Sequence, residues 1–456
     1  MRKASRLWCW RDRATPSRWR RASTHWITDR GCRSVQAYEA LGSDVHHSPV
    51  PAPVSAPVHA PSRHSLRGLD GFNFFIANIQ TGFGPFIAVY LTAQAWTQVD
   101  IGFVLTLSGF VALACQVPAG ILVDAVTHKR TVAAIAAAAI AASALMLAAW
   151  PILPLVLSAE ILHGVASCLM TPAIAAISLG LVAAHEIGER LGRNARYASA
   201  GNGIAAVLMG ASGRLFSNRA VFVLTALLAV PALIALFHIR SREIDPVRAR
   251  GGKPGTQPHQ SPLHGIADNR GLLVFGAGMI LFSLANTPML PLVGAIMTMR
   301  SSQWATVLIA ACIVVPQIFV AIFSPWVGRR SESWGRRPLL IVGFAALPIR
   351  GVLYALIASP YLLVVVQILD GISAAVLGVM VPLIVADITR GTGRYNAALG
   401  TVGAAAGVGA AVSTTLAGYV NDRLGSTVAF LGLAGVALVG VILMLLFMPE
   451  TRPAER

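Results

Sequence analysis

From Asp70 to about Met448 the chain is a succession of long apolar stretches cut by short polar segments, a pattern that few folds accommodate. Each stretch runs for about 20 residues or more, and at a rise of about 1.5 Å per residue a helix of that length crosses a hydrocarbon core about 30 Å thick. Cutting at charges, Pro and Gly predicts spans near 70–92, 100–123, 131–150, 154–183, 196–214, 220–238, 271–296, 303–327, 338–358, 361–386, 396–419 and 426–448. The expectation is an all-α membrane protein of twelve transmembrane helices in two pseudo-symmetric six-helix halves, 68–238 and 271–450. Only 12% of the residues are charged and 55% are hydrophobic. A soluble domain carries roughly 25% charged residues, so a soluble enzyme is excluded.

The remaining charge is unbalanced, 36 Lys and Arg against 19 Asp and Glu, for a net +17. Its location decides its meaning. About 31 of the 36 basic residues fall in the N-terminal tail, the loops after even-numbered spans and the C-terminus; about four fall in the opposite loops, and Arg350 lies inside a span. Such a bias places both termini in the cytoplasm, and the excess reads as orientation, with the bilayer and not nucleic acid as partner. Trp96, Trp150, Trp304, Trp326 and Trp334 fall at or beside span ends, as in an aromatic belt. Residues 1–67, first rich in Arg and Trp and then in Pro, lack apolar periodicity and are expected to be a disordered tail. Their Arg-rich start also faintly resembles a transit peptide or an anionic-lipid-binding segment. Residues 239–270 are read as a basic cytoplasmic linker without an apolar face, and 451–456 as a short tail.

Cys9, Cys32, Cys115, Cys168 and Cys312 form no CxxC pair or zinc spacing, so neither a disulfide framework nor a metal site is expected. Hydrolase, zincin and P-loop signatures are missing. The chain is therefore expected to be no enzyme, to carry no cofactor, and to draw energy from an ion or substrate gradient.

Comparison of the halves reveals a repeat. Gly120, Leu122, Asp124, Lys129 and Arg130 after the second span correspond to Gly328, Arg330, Glu332, Gly335, Arg336 and Arg337 after the eighth, the acid four residues beyond the glycine and the basic pair beginning five beyond the acid in the first copy and four in the second. Gly164 matches Gly371, and Glu186 with Gly192-Arg193 matches Asp387 with Gly393-Arg394. Three matches in one order point to a duplicated six-helix unit.

With these motifs, residues 68–450 resemble the major facilitator superfamily of secondary transporters, whose signature Gly-x-Leu-Ala-Asp-Arg-x-Gly-Arg-Arg/Lys follows the second helix. Thr127 stands where the first copy should have its second glycine; the second copy has Gly335 there but Glu332 for Asp and Arg330 for Leu. The resemblance implies a monomer that moves a small solute by rocking its halves, with the acid of the motif closing the cytoplasmic side. Drug–proton antiporters of the family usually have Gly-Pro-x-x-Gly-Gly in the fifth helix and an Arg four residues before the glycine matched by Gly164. This chain has Gly201, Gly203, Gly210 and Gly213 without that Pro, and Glu160 in place of the Arg, which argues against the standard drug-antiporter subtype.

Ionisable groups in hydrocarbon require a partner or a function. Asp124 is positioned to accept hydrogen bonds from a facing helix N-terminus and to pair with Lys129 or Arg130, with Glu332, Arg336 and Arg337 as its counterpart; a plain helix-end salt bridge is the alternative. Glu160 and His163 share a helix face and are candidate proton carriers, unless Glu160 reaches water at the helix end. Arg350 and Asp370 lie at similar depth and are expected to pair, either to fix packing or as a protonation-linked switch. Asn73, Asn78, Gln80, Asn286, Thr287, Gln317 and Gln367 are candidate cavity residues, with the alternative that they only bond neighbouring helices. Gly and Pro breaks in the first and seventh spans would let them bend. The favoured function is proton-coupled efflux or exchange; uptake of a sugar or carboxylate, and a sensor or scaffold with a transporter fold, are the rivals. Efflux predicts a large apolar cavity, and anion uptake predicts an unpaired Arg350 facing it.

Overall fold

The computed structural model describes residues 61–83, 85–253, 269–300 and 305–452. Nearly all of the expected 1–67 tail, residues 254–268 of the linker and residues 453–456 lie outside this set. The described residues form helices joined by short turns, with no strand beyond isolated bridges from Gly252 to Gly391 and Thr392.

Helix α1 (Arg63–Thr81) and α2 (Pro85–Ala93) make the first span, followed by α3 (Gln98–Ala125), α4 (Lys129–Ala149), α5 (Leu153–Leu181), α6 (Ile187–Leu215) and α7 (Asn218–Phe237). Helices α8 (Arg270–Asn286) and α9 (Met289–Arg300) make the seventh span, followed by α10 (Ala305–Trp334), α11 (Arg336–Leu356), α12 (Pro360–Ile388), α13 (Tyr395–Leu424) and α14 (Ser426–Phe447). Ser62, Thr97, Ser217 and Asn269 cap α1, α3, α7 and α8 by accepting from backbone N–H groups in the first turn. The first and seventh spans break before Pro85 and at Thr287–Pro288, where proline removes a ladder hydrogen bond, although Pro316 and Pro325 are accommodated within continuous α10. Eleven helical stretches among the described residues are long and apolar enough to cross a membrane, and the 29-residue α6 completes the series.

Helix α6 starts at Ile187 rather than at the expected residue 196. Arg190, Arg193 and Arg196 read as a polar break, but the first two are neutralised inside the fold by Asp70, which accepts from Arg190 and, at 2.5 Å, from Arg193. Helix α1 likewise begins at Arg63, before the expected residue 70, because Ser62 supplies a cap.

The halves meet along two seams, α3 against α13 and α6 against α10. Both are tight at the end carrying the basic loops. A Cβ added at Gly120 would strike the Asn396 carbonyl, one at Gly400 the Gln116 carbonyl, and one at Gly328 the Gly188 carbonyl. Toward the opposite end a Cβ at Gly102, Gly109, Gly210 or Gly418 would meet nothing within 4 Å. The same map tests the repeat. Gly164 packs on Val111 and Ser108 of α3, and Gly371 on Phe319 and Pro316 of α10; in each half the two contacted residues are three apart, and 319 and 316 follow 111 and 108 by 208. The third sequence match does not superimpose, because Gly192 lies within α6 against Ser324 and Pro325, whereas Gly393 precedes α13 with φ +73°.

The described part of the linker is ordered, and the expectation that it lacks an apolar face is corrected: Ile239, Ile244 and Ala249 are buried. It is tied to both halves. Asp245 N–H donates to the Gly180 carbonyl at 3.0 Å and Arg248 Nη1 to the Val182 carbonyl at 3.3 Å, while the Ala249 carbonyl accepts from Asn396 Nδ2 at 3.1 Å and the Gly251 carbonyl from Gly391 N–H at 2.6 Å. Glu243 accepts from Ser62 N–H and Oγ at 3.0 and 2.9 Å. Burial raises the pKa of its carboxyl, but these bonds, with Ser65 and Arg240, outweigh that effect and hold it below the ordinary value.

Candidate functional site

Asp124 ends α3 and reaches the N-terminus of α13, where backbone N–H groups lack helical partners and the helix dipole is positive. Its Oδ1 accepts from Asn396 N–H at 3.2 Å and Asn396 Nδ2 at 2.8 Å, and its Oδ2 from Ala397 N–H at 2.8 Å. Gly120, one turn earlier, permits the close approach, and Leu122 faces outward, 48% exposed. The expected pairing of Asp124 with Lys129 or Arg130 is replaced. Buried Lys129 donates to the carbonyls of Val123 and Asp124, and Arg130 donates to the Ile239 carbonyl at 2.7 Å with its guanidinium over the Phe237 ring. The carboxylate oxygens are taken by α13, so the cations satisfy carbonyls instead.

The second copy differs. Glu332 lies close to Gly188 in the first turn of α6, but it accepts from Arg336 Nη2 at 3.0 Å. Buried Arg336 also donates to Asp387 Oδ2 at 3.0 Å and to the Ser331 carbonyl at 2.6 Å. Gly335, at φ +92°, turns the chain into α11, whose first N–H groups, Arg336 and Arg337, donate to Glu450 at 2.8 and 3.1 Å.

Between the seams lies a cavity of about 520 Å³ contributed by α1, α5, α6, α10, α12 and α13. Its polar lining consists of Asn73, Thr171, Asn194, Ser199, Asn202 and Gln317, with no charged side chain, and the rest is Ala, Leu, Ile, Val, Gly and Pro. Of the expected cavity residues, Asn73 and Gln317 line it. Asn78 is buried against Gly201 and donates to the Phe74 carbonyl at 2.9 Å. Gln80 is not in the lining, Thr287 caps α8, Asn286 accepts from Arg350, and buried Gln367 meets Cys312. Asn286 and Gln367 thus bond side chains of neighbouring helices, while Asn78 bonds a carbonyl of its own helix.

Two ionisable clusters lie outside the cavity lining. Arg350 on α11 donates to Asp370 on α12 and to Asn286, with its guanidinium 5.9 Å from the Tyr354 ring centroid. Arg350 is nearly buried while the Asp370 side chain is 29% exposed. In the other half Glu160 is buried against Ser108, and His163 stacks on Phe83 at 3.8 Å with neither ring nitrogen hydrogen-bonded. Glu160 and His163 point to different neighbours and form no pair, although they share one helix face.

Sequence reasoning missed the cluster around Asp70. Asn194 accepts from Arg190 Nε at 2.9 Å and from Asn73 Nδ2 at 3.2 Å, and donates to Ser178 Oγ at 2.7 Å, joining the Asp70 ion pairs to the cavity wall. The available signal was an acid at the start of one apolar span and two Arg three residues apart near another, each needing the opposite charge.

A bundle closed at one end around an uncharged chamber defines a membrane carrier. The family model of the Major Facilitator Superfamily matches residues 71–315 and 272–456. An uncharacterized MFS-type transporter of Mycobacterium tuberculosis is 39% identical over 391 residues, 84% of this chain and 93% of the relative. Multidrug resistance protein 1 of Bacillus subtilis is 29% identical over 148 residues, 32% of this chain and 37% of the relative; the class B tetracycline resistance protein of Escherichia coli is 29% identical over 101 residues, 22% and 25%. The fold matches that of the human organic anion transporter MFSD10 with a TM-score of 0.63 at 15% identity, over 85% of this chain and 99% of that one. The chain belongs to the major facilitator superfamily and is a multi-pass integral membrane transporter with the twelve-helix fold. Members of this family are generally carriers rather than enzymes.

Proposed function

We propose that the chain exports small uncharged amphipathic solutes by alternating access, with both termini cytoplasmic and protons as the coupling ion. The observation that carries this reading is the central cavity, whose walls are apolar with scattered amides and hydroxyls and no charge. An anion site would need a free cation in that wall, but Arg350 is held by Asp370 and Asn286. The partial relatives named for tetracycline and multidrug resistance support efflux of such solutes. With the basic loops cytoplasmic, the closed end is the cytoplasmic one and the chain faces outward. Asp370 is the favoured proton site, since it is partly exposed and bonded to a nearly buried Arg350; Glu160 and His163 are the second choice.

A thermal-shift panel of uncharged amphipathic solutes and organic anions of similar size tests the solute class. Uncharged solutes should stabilise the protein, and Asn202→Leu or Gln317→Leu should blunt the shift. Stabilisation by the anions alone would sink the assignment.

A further inference from the structure

The two seams are closed by different chemistry. Asp124 of α3 caps α13, but in the other seam the matching Glu332 is bound by Arg336. Nine residues beyond Ile187, the first residue of α6, Arg196 donates from Nε to the Ala321 carbonyl of α10 at 2.8 Å. That carbonyl is available because Pro325, four residues on inside α10, has no N–H to return to it. Helix α6 comes close enough for this reach because Gly188 and Gly192 lie against the α10 backbone at Gly328 and Ser324. The spacing that carries Gly120 onto Gly328, 208 residues, takes Ala321 back to Leu113, Pro325 to Val117 and Arg196 forward to Ala404. The first seam therefore has no cation at this position, and its nearest proline, Pro118, is displaced by one residue.

We propose that Arg196 is the positioning residue that closes the α6–α10 seam, taking the part that Asp124 plays between α3 and α13. In the closed seam exposed Arg196 gives the Ala321 carbonyl the donor that Pro325 withholds. Opening toward the cytoplasm would separate α6 from α10 and break the bond, so it favours the outward-facing state alone. Removing it should raise the ratio of inward- to outward-facing molecules about two- to fivefold, the effect of an exposed charged contact. The inference rests on the alternating-access reading.

Hydrogen–deuterium exchange on the full-length chain in lipid nanodiscs tests it. Arg196→Gln should speed exchange in 187–199 and 317–334 and slow it in 203–215, at the opposite end. Pro325→Ala returns an N–H to the Ala321 carbonyl, so it should reproduce that pattern, and the double variant should match either single one. Unchanged exchange in Arg196→Gln, a rise at both ends as in general loosening, or additive effects of the two substitutions would overturn the proposal. Asp124→Asn is the control. If it gives the opposed response and Arg196→Gln does not, the Arg196 assignment fails; if neither responds, alternating access itself fails, and the assignment with it.

Discussion

Asn396 and Asp124 belong to opposite halves of the molecule, yet they meet through both the backbone N–H and the side-chain amide of Asn396, at 3.2 and 2.8 Å. The same amide nitrogen donates to the Ala249 carbonyl of the linker at 3.1 Å. One residue thus binds the end of α3, the start of α13 and the inter-half linker together.

Asp124→Asn keeps the shape of the side chain but removes the charge that complements the α13 N-terminus. A loss of about 1–2 kcal/mol from the closed state is expected, enough to change the conformational ratio by about tenfold. Transport in proteoliposomes should fall by a similar factor; unchanged flux would remove Asp124 from the gate.

Asp245 organises the linker, accepting from the N–H groups of Val247 and Arg248 at 2.8 and 3.1 Å and from Arg248 Nε at 3.0 Å. Asp245→Ala should release this segment from the closed end. Limited proteolysis between Arg240 and Lys253 should quicken severalfold with little change in melting temperature, since the losses are surface turn contacts. Protection equal to wild type would mean that the linker holds without this turn.

Breaking the Arg350–Asp370 pair leaves an uncompensated guanidinium among packed helices. Asp370→Asn should cost up to about 3 kcal/mol of stability, the lower end of the buried-pair range, since the Asp370 side chain is only partly buried. Replacing both residues with Leu should restore the melting temperature but not gradient-driven transport. A double variant that still concentrates solute would leave the pair with a packing role only.

Glu450 caps α11 from beyond the last helix. Burial raises the pKa of its carboxyl, but backbone N–H groups of Arg452, Arg336, Arg337 and Thr451 outweigh this and set it below the ordinary value. A depressed folded pKa contributes stability above the unfolded value near about 4.3 and loses it as pH falls through the folded one. The melting temperature of wild type should therefore exceed that of Glu450→Gln near neutral pH, and the gap should close in acid. A gap independent of pH would exclude the charge as its source.

The spans, the halves and the Asp124 motif were legible because hydrocarbon imposes length and apolarity on each helix, and the motif stands out as polar residues at fixed spacing. The start of α6 was not, since Arg190 and Arg193 look like loop residues until Asp70, about 120 positions earlier, is seen to neutralise them. Of the seven expected cavity residues only Asn73 and Gln317 line the cavity. Asn73 and Asn78 look alike in sequence, but Asn73 lines the chamber while Asn78 is buried against Gly201, a difference set by helix rotation. The Arg196 contact was hidden because it needs a proline on another helix to free its acceptor.

The most direct test is flux in proteoliposomes under an imposed pH gradient, using the uncharged solute that most stabilises the protein. Wild type should accumulate that solute against its gradient, a protonophore should abolish the accumulation, and Asp370→Asn should permit at most downhill movement. Accumulation that persists with the protonophore, or that occurs only with organic anions, would contradict proton-driven export of an uncharged solute.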